Sequence, residues 1–242
     1  MLDRKMIVGR YFTFKIPSDY QIPNFDNVAK FKVYGYANDH VPLRRNFYLE
    51  QSTGFFKRTS ATRNTGENEP GGDKAHRKFT WLPYFQYCTT VVPMDDSSDV
   101  LSGPFTGCWL VTFTIEGARY IAHIGTSELI SSNQSVKCGF RTFCKTHNVK
   151  DIRGVKPADP WLKEIEGLCN KKKENTNGYY MFGLYTREGK FFSMLTFRQK
   201  ASDSEFRIAG FKEQEPNFPF NGKVEPFSDA ELPSECPEEP QI

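Results

Sequence analysis

The stretch GCWLVTFTIEGARYIAHIGT (107–126) decides how this 242-residue chain is read. Two runs rich in β-branched and aromatic residues, 107–115 and 118–126, flank Glu116-Gly117. Such runs favour strands, and a glycine in a two-residue connection supplies the positive φ that a tight hairpin turn requires. With Glu116 and Gly117 as the turn, Ile115 faces Ala118, Leu110 faces His123 and Cys108 faces Gly125. Side chains alternate between faces with period two. Trp109, Val111, Phe113 and Ile115 then point to one side, the expected core. Cys108, Leu110, Thr112 and Thr114 point to the other, together with Arg119, Ile121 and His123. On that less crowded side Cys108 and His123 are diagonal neighbours, about 7–8 Å apart at Cα. A four-residue loop would keep them on one face but farther apart, and a three-residue loop would separate the faces. The pairing hangs on the turn.

Outward from the hairpin, 79–92 (FTWLPYFQYCTTVV) reads as strand, with Pro83 marking an edge or bulge. Residues 93–106 read as a turn-rich approach, and 29–36 (AKFKVYGY) as a further strand. Residues 44–58 are basic and aromatic, and 59–74 (TSATRNTGENEPGGDK) read as an exposed, mobile loop. On the C-terminal side, Asp159, Pro160 and the apolar spacing of Trp161, Leu162, Ile165, Leu168 and Cys169 predict a helix, with Lys171–Lys173 at its end. A shorter helix is expected at 141–147. A second hairpin is expected from 178–186 and 191–198, and one more strand at 205–211. From residue 213 the chain holds six prolines, eight acidic residues and one lysine, the composition of a tail. The expected organisation is a single α+β domain over 1–212, its β-rich core at roughly 25–212, with an acidic, proline-rich tail at 213–242.

Composition excludes several classes. Net charge is +3, from 32 Lys and Arg against 29 Asp and Glu. That is too mild for a nucleic-acid partner, whose binders concentrate positive charge more strongly. No apolar run approaches the roughly 18 residues of a membrane span. The first residues, MLDRKMIVGRYFTFKI, lack a secretory signal pattern. A soluble protein is expected, one that leaves its cell, if it does, without a recognisable N-terminal signal. The six cysteines include no CxxC pair, so neither a zinc site nor a disulfide scaffold is indicated, and reduced thiols are the default. No metal or cofactor is expected.

A thiol beside an imidazole has a chemical use. The free thiol has a pKa near 8.5, and an adjacent histidine can take its proton, giving a thiolate–imidazolium pair that attacks a carbonyl carbon. The same imidazolium can then protonate a departing amine or ammonia. Gly107 removes a side chain where a substrate approaches, and amides near it, with that of Thr106, suit an oxyanion. A third group normally orients the imidazole. The hydroxyls of Ser102 and Thr106 or a backbone carbonyl serve equally. The bland alternative is that Cys108 is a small buried hydrophobe and the pairing is chance.

The segment Leu101-Ser102-Gly103-Pro104-Phe105-Thr106-Gly107-Cys108, with His123 fifteen residues on, resembles the site of bacterial glutamine deamidase toxins. These are the cytotoxic necrotizing factors and the Burkholderia lethal factor, which share a Leu-Ser-Gly-Cys signature and a downstream histidine. Phe105-Thr106-Gly107-Cys108 differs from it at two positions. The chemoreceptor deamidases are similar more distantly. Ser102 stands six positions before the cysteine, where some of these proteins carry a hydroxyl; in others a main-chain carbonyl orients the histidine. The match is local, roughly 88–126. It implies a mixed β-sandwich with outer helices, Cys108 as nucleophile, His123 as base, and hydrolysis of a target protein's glutamine amide to glutamate. Toxins of this kind act on host proteins, including Rho-family GTPases and a translation initiation factor; a related one performs transglutamination. Thiol-protease chemistry on the same pair and a non-enzymatic β-rich binding module using the aromatic and basic loops at 44–78 are the alternatives.

Other residues have plainer readings. Cys144 and His147 form a lesser candidate pair on a helix, and His40 and His76 are expected to be solvated. Asp95 and Asp96 are expected to cap a turn. Arg44, Arg45, Lys57 and Arg58 suit a solvated face or an acidic partner.

Overall fold

The structure is a computed structural model, and it describes residues 3–6, 8–9, 11–15, 33–34, 45–51, 78–126, 130–169, 176–199 and 205–218. The loop expected at 59–74, His40, His76 and the lysine run at 171–173 lie outside these residues. In the hairpin, Trp109–Ile115 (β7) pairs with Ala118–Ile124 (β8) in the register the turn implies: Ile115 opposite Ala118, Leu110 opposite His123. Glu116 and Gly117 take φ of 50° and 82°, the two positive values of a twist-matched two-residue turn. Nothing lies within 4 Å of the place a Cβ on Gly117 would occupy. Gly117→Val is therefore expected to cost only backbone strain, about 1–3 kcal/mol, read as a lower urea midpoint; an unchanged midpoint would contradict the turn.

Around the hairpin the described strands form two mixed sheets, in an α+β fold with a sandwich-like core. Thr89–Pro93 (β5) lies beside β8, Val33–Tyr34 (β2) runs parallel to β5, and Lys150–Val155 (β9) borders β7, giving the order β2-β5-β8-β7-β9. The second sheet closes into a seven-stranded barrel. It comprises Tyr11–Lys15 (β1), Arg45–Gln51 (β3), Lys78–Leu82 (β4), Asp99–Ser102 (β6), Thr176–Tyr185 (β10), Phe191–Gln199 (β11) and Glu205–Gln214 (β12), in the order β1-β12-β11-β10-β6-β4-β3. Helix α1, Ile130–Thr146, covers the outer face of the five-stranded sheet, and α2, Leu162–Cys169, follows a short 3-10 turn at Asp159–Trp161.

Three apolar clusters define the layers. Phe79, Leu101, Phe182, Leu184, Met194 and Ile208 fill the barrel. Val91, Trp109, Val111, Phe113 and Ala122 meet Val136, Phe140, Phe143 and Cys144 of α1. Between the sheets, Cys108, Leu110 and Ile121 pack against Leu82, Val100, Tyr185, Phe191 and Leu195 of the barrel. The Cys108 side of the hairpin is thus a second core face, not the uncrowded surface that alternation suggested. Strands covered on both faces read as near-continuous apolar runs, and Leu110 and Ile121 are 0 % exposed.

Four other expectations change. The single strand read at 79–92 is two strands in different sheets, with Pro83–Cys88 crossing between them. The approach at 93–106 contains β6, so Ser102 sits on a barrel strand, with Leu82 of β4 its Cα partner. Helix α1 begins eleven residues before the expected 141 and ends with Asn148 at φ 47°, its last carbonyls taken by the amides of His147 and Val149. Strand β12 runs past residue 212, and Phe218 packs on Trp109 and Phe140 at centroid distances of 5.0 and 6.4 Å. The part of the expected tail beyond 218 lies outside the described residues. Cys138 is disulfide-bonded, whereas Cys88, Cys108 and Cys144 are free.

Candidate active site

The chain passes from barrel to sheet twice at one place, from Leu82 to Thr89 and from Ser102 to Trp109. The first crossing ends with Cys88 bonded to Gly125 (Gly125 N to Cys88 O, 2.8 Å), and the second ends at Cys108. Between these ends lies the C-terminal part of β8, which carries His123. Elements distant in sequence therefore meet around one imidazole.

Ser102 Oγ is 2.7 Å from Leu82 O and 2.8 Å from His123 Nδ1. A carbonyl cannot donate, so the single hydroxyl proton goes to Leu82 O. The contact to Nδ1 must then be donated by the imidazole. This fixes the tautomer: Nδ1 carries the proton, and Nε2 carries a lone pair. Nε2 is buried and has no hydrogen-bond partner among the described residues. Phe105 stacks on the ring at 4.0 Å and 4°, and Tyr84 approaches it at 5.0 Å and 36°. The imidazole is 1 % exposed.

Cys108, also 1 % exposed, shares the inter-sheet cluster with Phe105, Leu110 and Ile121. Its Sγ donates to Thr126 O at 3.4 Å rather than to the imidazole. Thr126 in turn donates its hydroxyl to Gly107 O at 2.8 Å, tying the start of β7 to the end of β8. Burial raises the thiol above its ordinary range, and the Thr126 side chain with the backbone amides of Gly107, Thr106 and Thr126 pulls the other way. The single proton of the Thr126 hydroxyl, which rests on Gly107 O, can turn to the sulfur once a thiolate forms. Thr106 and Gly107 are exposed, and no atom lies within 4 Å of a Cβ built on Gly107. Space is thus free beside Gly107, although the sulfur beneath it is buried.

Burial alone depresses the His123 imidazole from 6.5 to about 3. Thiol and imidazole are thus both neutral near pH 7, in place of the ion pair considered from sequence. The depressed value has a consequence for stability. The unfolded chain takes up this proton as pH falls through about 6.5, the folded chain only near 3. Stability is therefore full above pH 6.5 and is lost as pH falls through that window. Between pH 6.5 and 4.5 the loss is expected to be roughly 2 kcal/mol. Urea unfolding of His123→Gln should lack this increment; an equal slope in both proteins would contradict a buried neutral histidine.

Of the residues singled out in sequence, Ser102 and His123 are in direct contact, and Cys108 lies on the same face of the hairpin as His123. Thr106 is exposed. Thr126, Tyr84 and Phe105 were not foreseen. Cys144 is 0 % exposed with its thiol raised by burial, while His147 lines a separate cleft of about 420 Å³ with Thr114, Glu116 and Lys150. Asp95 caps its turn through Ser97 N and Oγ (3.0 and 2.6 Å), and Asp96 pairs with Arg119 on the surface. Among the described residues no three His, Cys, Asp or Glu gather as a metal site, and no helix is long and apolar enough to cross a membrane.

No family model matches the chain, and no curated protein matches it in sequence. Among solved structures it is similar to the C-terminal domain of CNFy from Yersinia pseudotuberculosis. The TM-score is 0.32 and the identity 9%, over 85% of this chain and 87% of that one. Both measures are low, so the chemistry of the site rests on its own atoms.

Proposed function

We propose that this chain is a cysteine-dependent protein glutamine deamidase, a toxin or effector that converts a target protein's glutamine to glutamate. The observation that carries the reading is the bare, buried Nε2 of His123, held in that tautomer by Ser102. A buried acceptor without a partner costs roughly 1–3 kcal/mol, and on this face the thiol of Cys108 is the neighbouring acid that can fill it. In the reaction the thiol turns from Thr126 O and gives its proton to Nε2, and Sγ bonds to the amide carbon. The amides of Thr106 and Gly107 stabilise the oxyanion. The imidazolium then protonates the nitrogen, ammonia leaves, and a thioester remains. Water, losing its proton to Nε2, hydrolyses the thioester to glutamate and the free thiol. An amine in place of water gives transglutamination, and a backbone amide in place of the side chain gives proteolysis.

The catalytic unit is read as one domain, extending past residue 212 to at least Phe218 because that ring completes the core. The disulfide at Cys138 supports assembly or action outside a reducing cytosol. One observation favours a binding module instead: the thiol is sealed and neutral in the resting structure. Intact mass spectrometry of candidate GTPases and translation factors separates the readings. Replacement of an amide NH₂ by OH adds about one dalton per site. The gain should appear with the wild-type chain and not with Cys108→Ala; an equal gain with both sinks the proposal, and a lost fragment means proteolysis.

A further inference from the structure

The Cys108–His123 site is closed: sulfur and imidazole are each 1 % exposed, so an amide side chain cannot reach them without movement. The groups around the imidazole differ in how firmly they are held. Ser102 and Phe105 are 0 % exposed, and Ser102 is tied to Leu82 O. Tyr84 is only about half buried. It lies on the crossing Pro83–Cys88, whose hydrogen bonds come from its other residues. Thr90 Oγ1 donates to Pro83 O (2.6 Å), Cys88 N to Phe85 O (3.2 Å), Tyr87 N to Gly125 O (3.2 Å) and Gly125 N to Cys88 O (2.8 Å). Tyr84 contributes none of them, and its hydroxyl has no hydrogen-bond partner among the described residues.

Gly125 explains why the ring can lie where it does. It sits opposite Cys108 at the end of the hairpin, and a Cβ there would fall 2.4 Å from Phe85 O and 3.3 Å from Tyr84 Cε2. With no side chain at this position, the crossing and its tyrosine settle against the strand that carries the imidazole. The ring is held by packing against the imidazole and the inter-sheet cluster rather than by a hydrogen bond. It can therefore rotate away while every backbone bond of the crossing persists.

We propose that Tyr84 is the gate of the Cys108–His123 site: its ring covers the pair at rest and swings out to admit an extended side-chain amide. The purpose of the gate rests on the deamidase reading, but its test does not. Wild type, Tyr84→Phe and Tyr84→Ala are treated with iodoacetamide under native conditions, and alkylation of each cysteine is followed by peptide mapping. Buried Cys144 serves as the internal measure of unfolding. Tyr84→Ala should speed labelling of Cys108 at least about tenfold while Cys144 stays as slow as in wild type. Tyr84→Phe, which keeps the ring, should match wild type. If Tyr84→Ala speeds both thiols together, Tyr84→Leu, which retains an apolar side chain, is held to the same rule. Equal Cys108 rates in wild type and the opened variants overturn the gate, as does a Tyr84→Phe rate equal to that of Tyr84→Ala. A functioning gate together with no mass gain on any protein substrate would sink the deamidase reading and leave the gate standing.

Discussion

His123→Ala and Cys108→Ala are each expected to lower amide hydrolysis at least about 10⁴-fold, and the double variant should be no worse than either. The reason is that thiol and imidazole act as one unit. At neutral pH the thiol is protonated, raised by burial, and without Nε2 nothing beside it takes the proton. Without the sulfur, an imidazole depressed to about 3 is a weak base with no nucleophile to activate. Each substitution alone therefore removes the whole step. The readout is mass gain or ammonia release from a protein substrate, with circular dichroism as a check on folding. Losses that add in the double variant would mean that the two residues act separately.

Ser102→Ala has the next largest expected effect, about 10²-fold in kcat with KM unchanged. Ser102 is 0 % exposed, and among the described residues its hydroxyl bonds Leu82 O and His123 Nδ1, so it cannot touch a substrate. Its removal frees the imidazole to place its proton on Nε2, which silences the base. The same substitution strips partners from a buried carbonyl and a buried N–H, each costing roughly 1–3 kcal/mol. A lower urea midpoint should accompany the lost turnover. A fall in stability with kcat intact would make Ser102 a purely structural residue.

The hairpin was legible in the sequence because its signals are local. Glu116-Gly117 sets the turn, and the turn sets which side chains share a face. Long-range packing was not legible. Thr112 and His123 made one face look solvent-facing, yet the barrel covers it and Ser102 satisfies the histidine from within. Strand β6 was hidden because four residues between Asp95–Ser98 and Gly103-Pro104 carry no periodicity of their own. Helix α1 opens on ISSNQS, residues that compete with the helix backbone for hydrogen bonds. Ser102 could be named from its place before the cysteine, but its bond to Nδ1 depends on β6 lying beside β4. Thr126 and Tyr84 lie just past the hairpin and on a crossing between sheets, where spacing alone does not reveal which groups meet. No motif marks the disulfide at Cys138.

The protonation of one ring decides most. Nitrogen-15 chemical shifts of the His123 imidazole, recorded from pH 8 to pH 5, should show the proton on Nδ1 and a bare Nε2 throughout. A proton on Nε2 of the neutral ring would leave the sulfur without its base and contradict the catalytic account, whereas an imidazolium formed near pH 6.5 would contradict the buried neutral histidine alone.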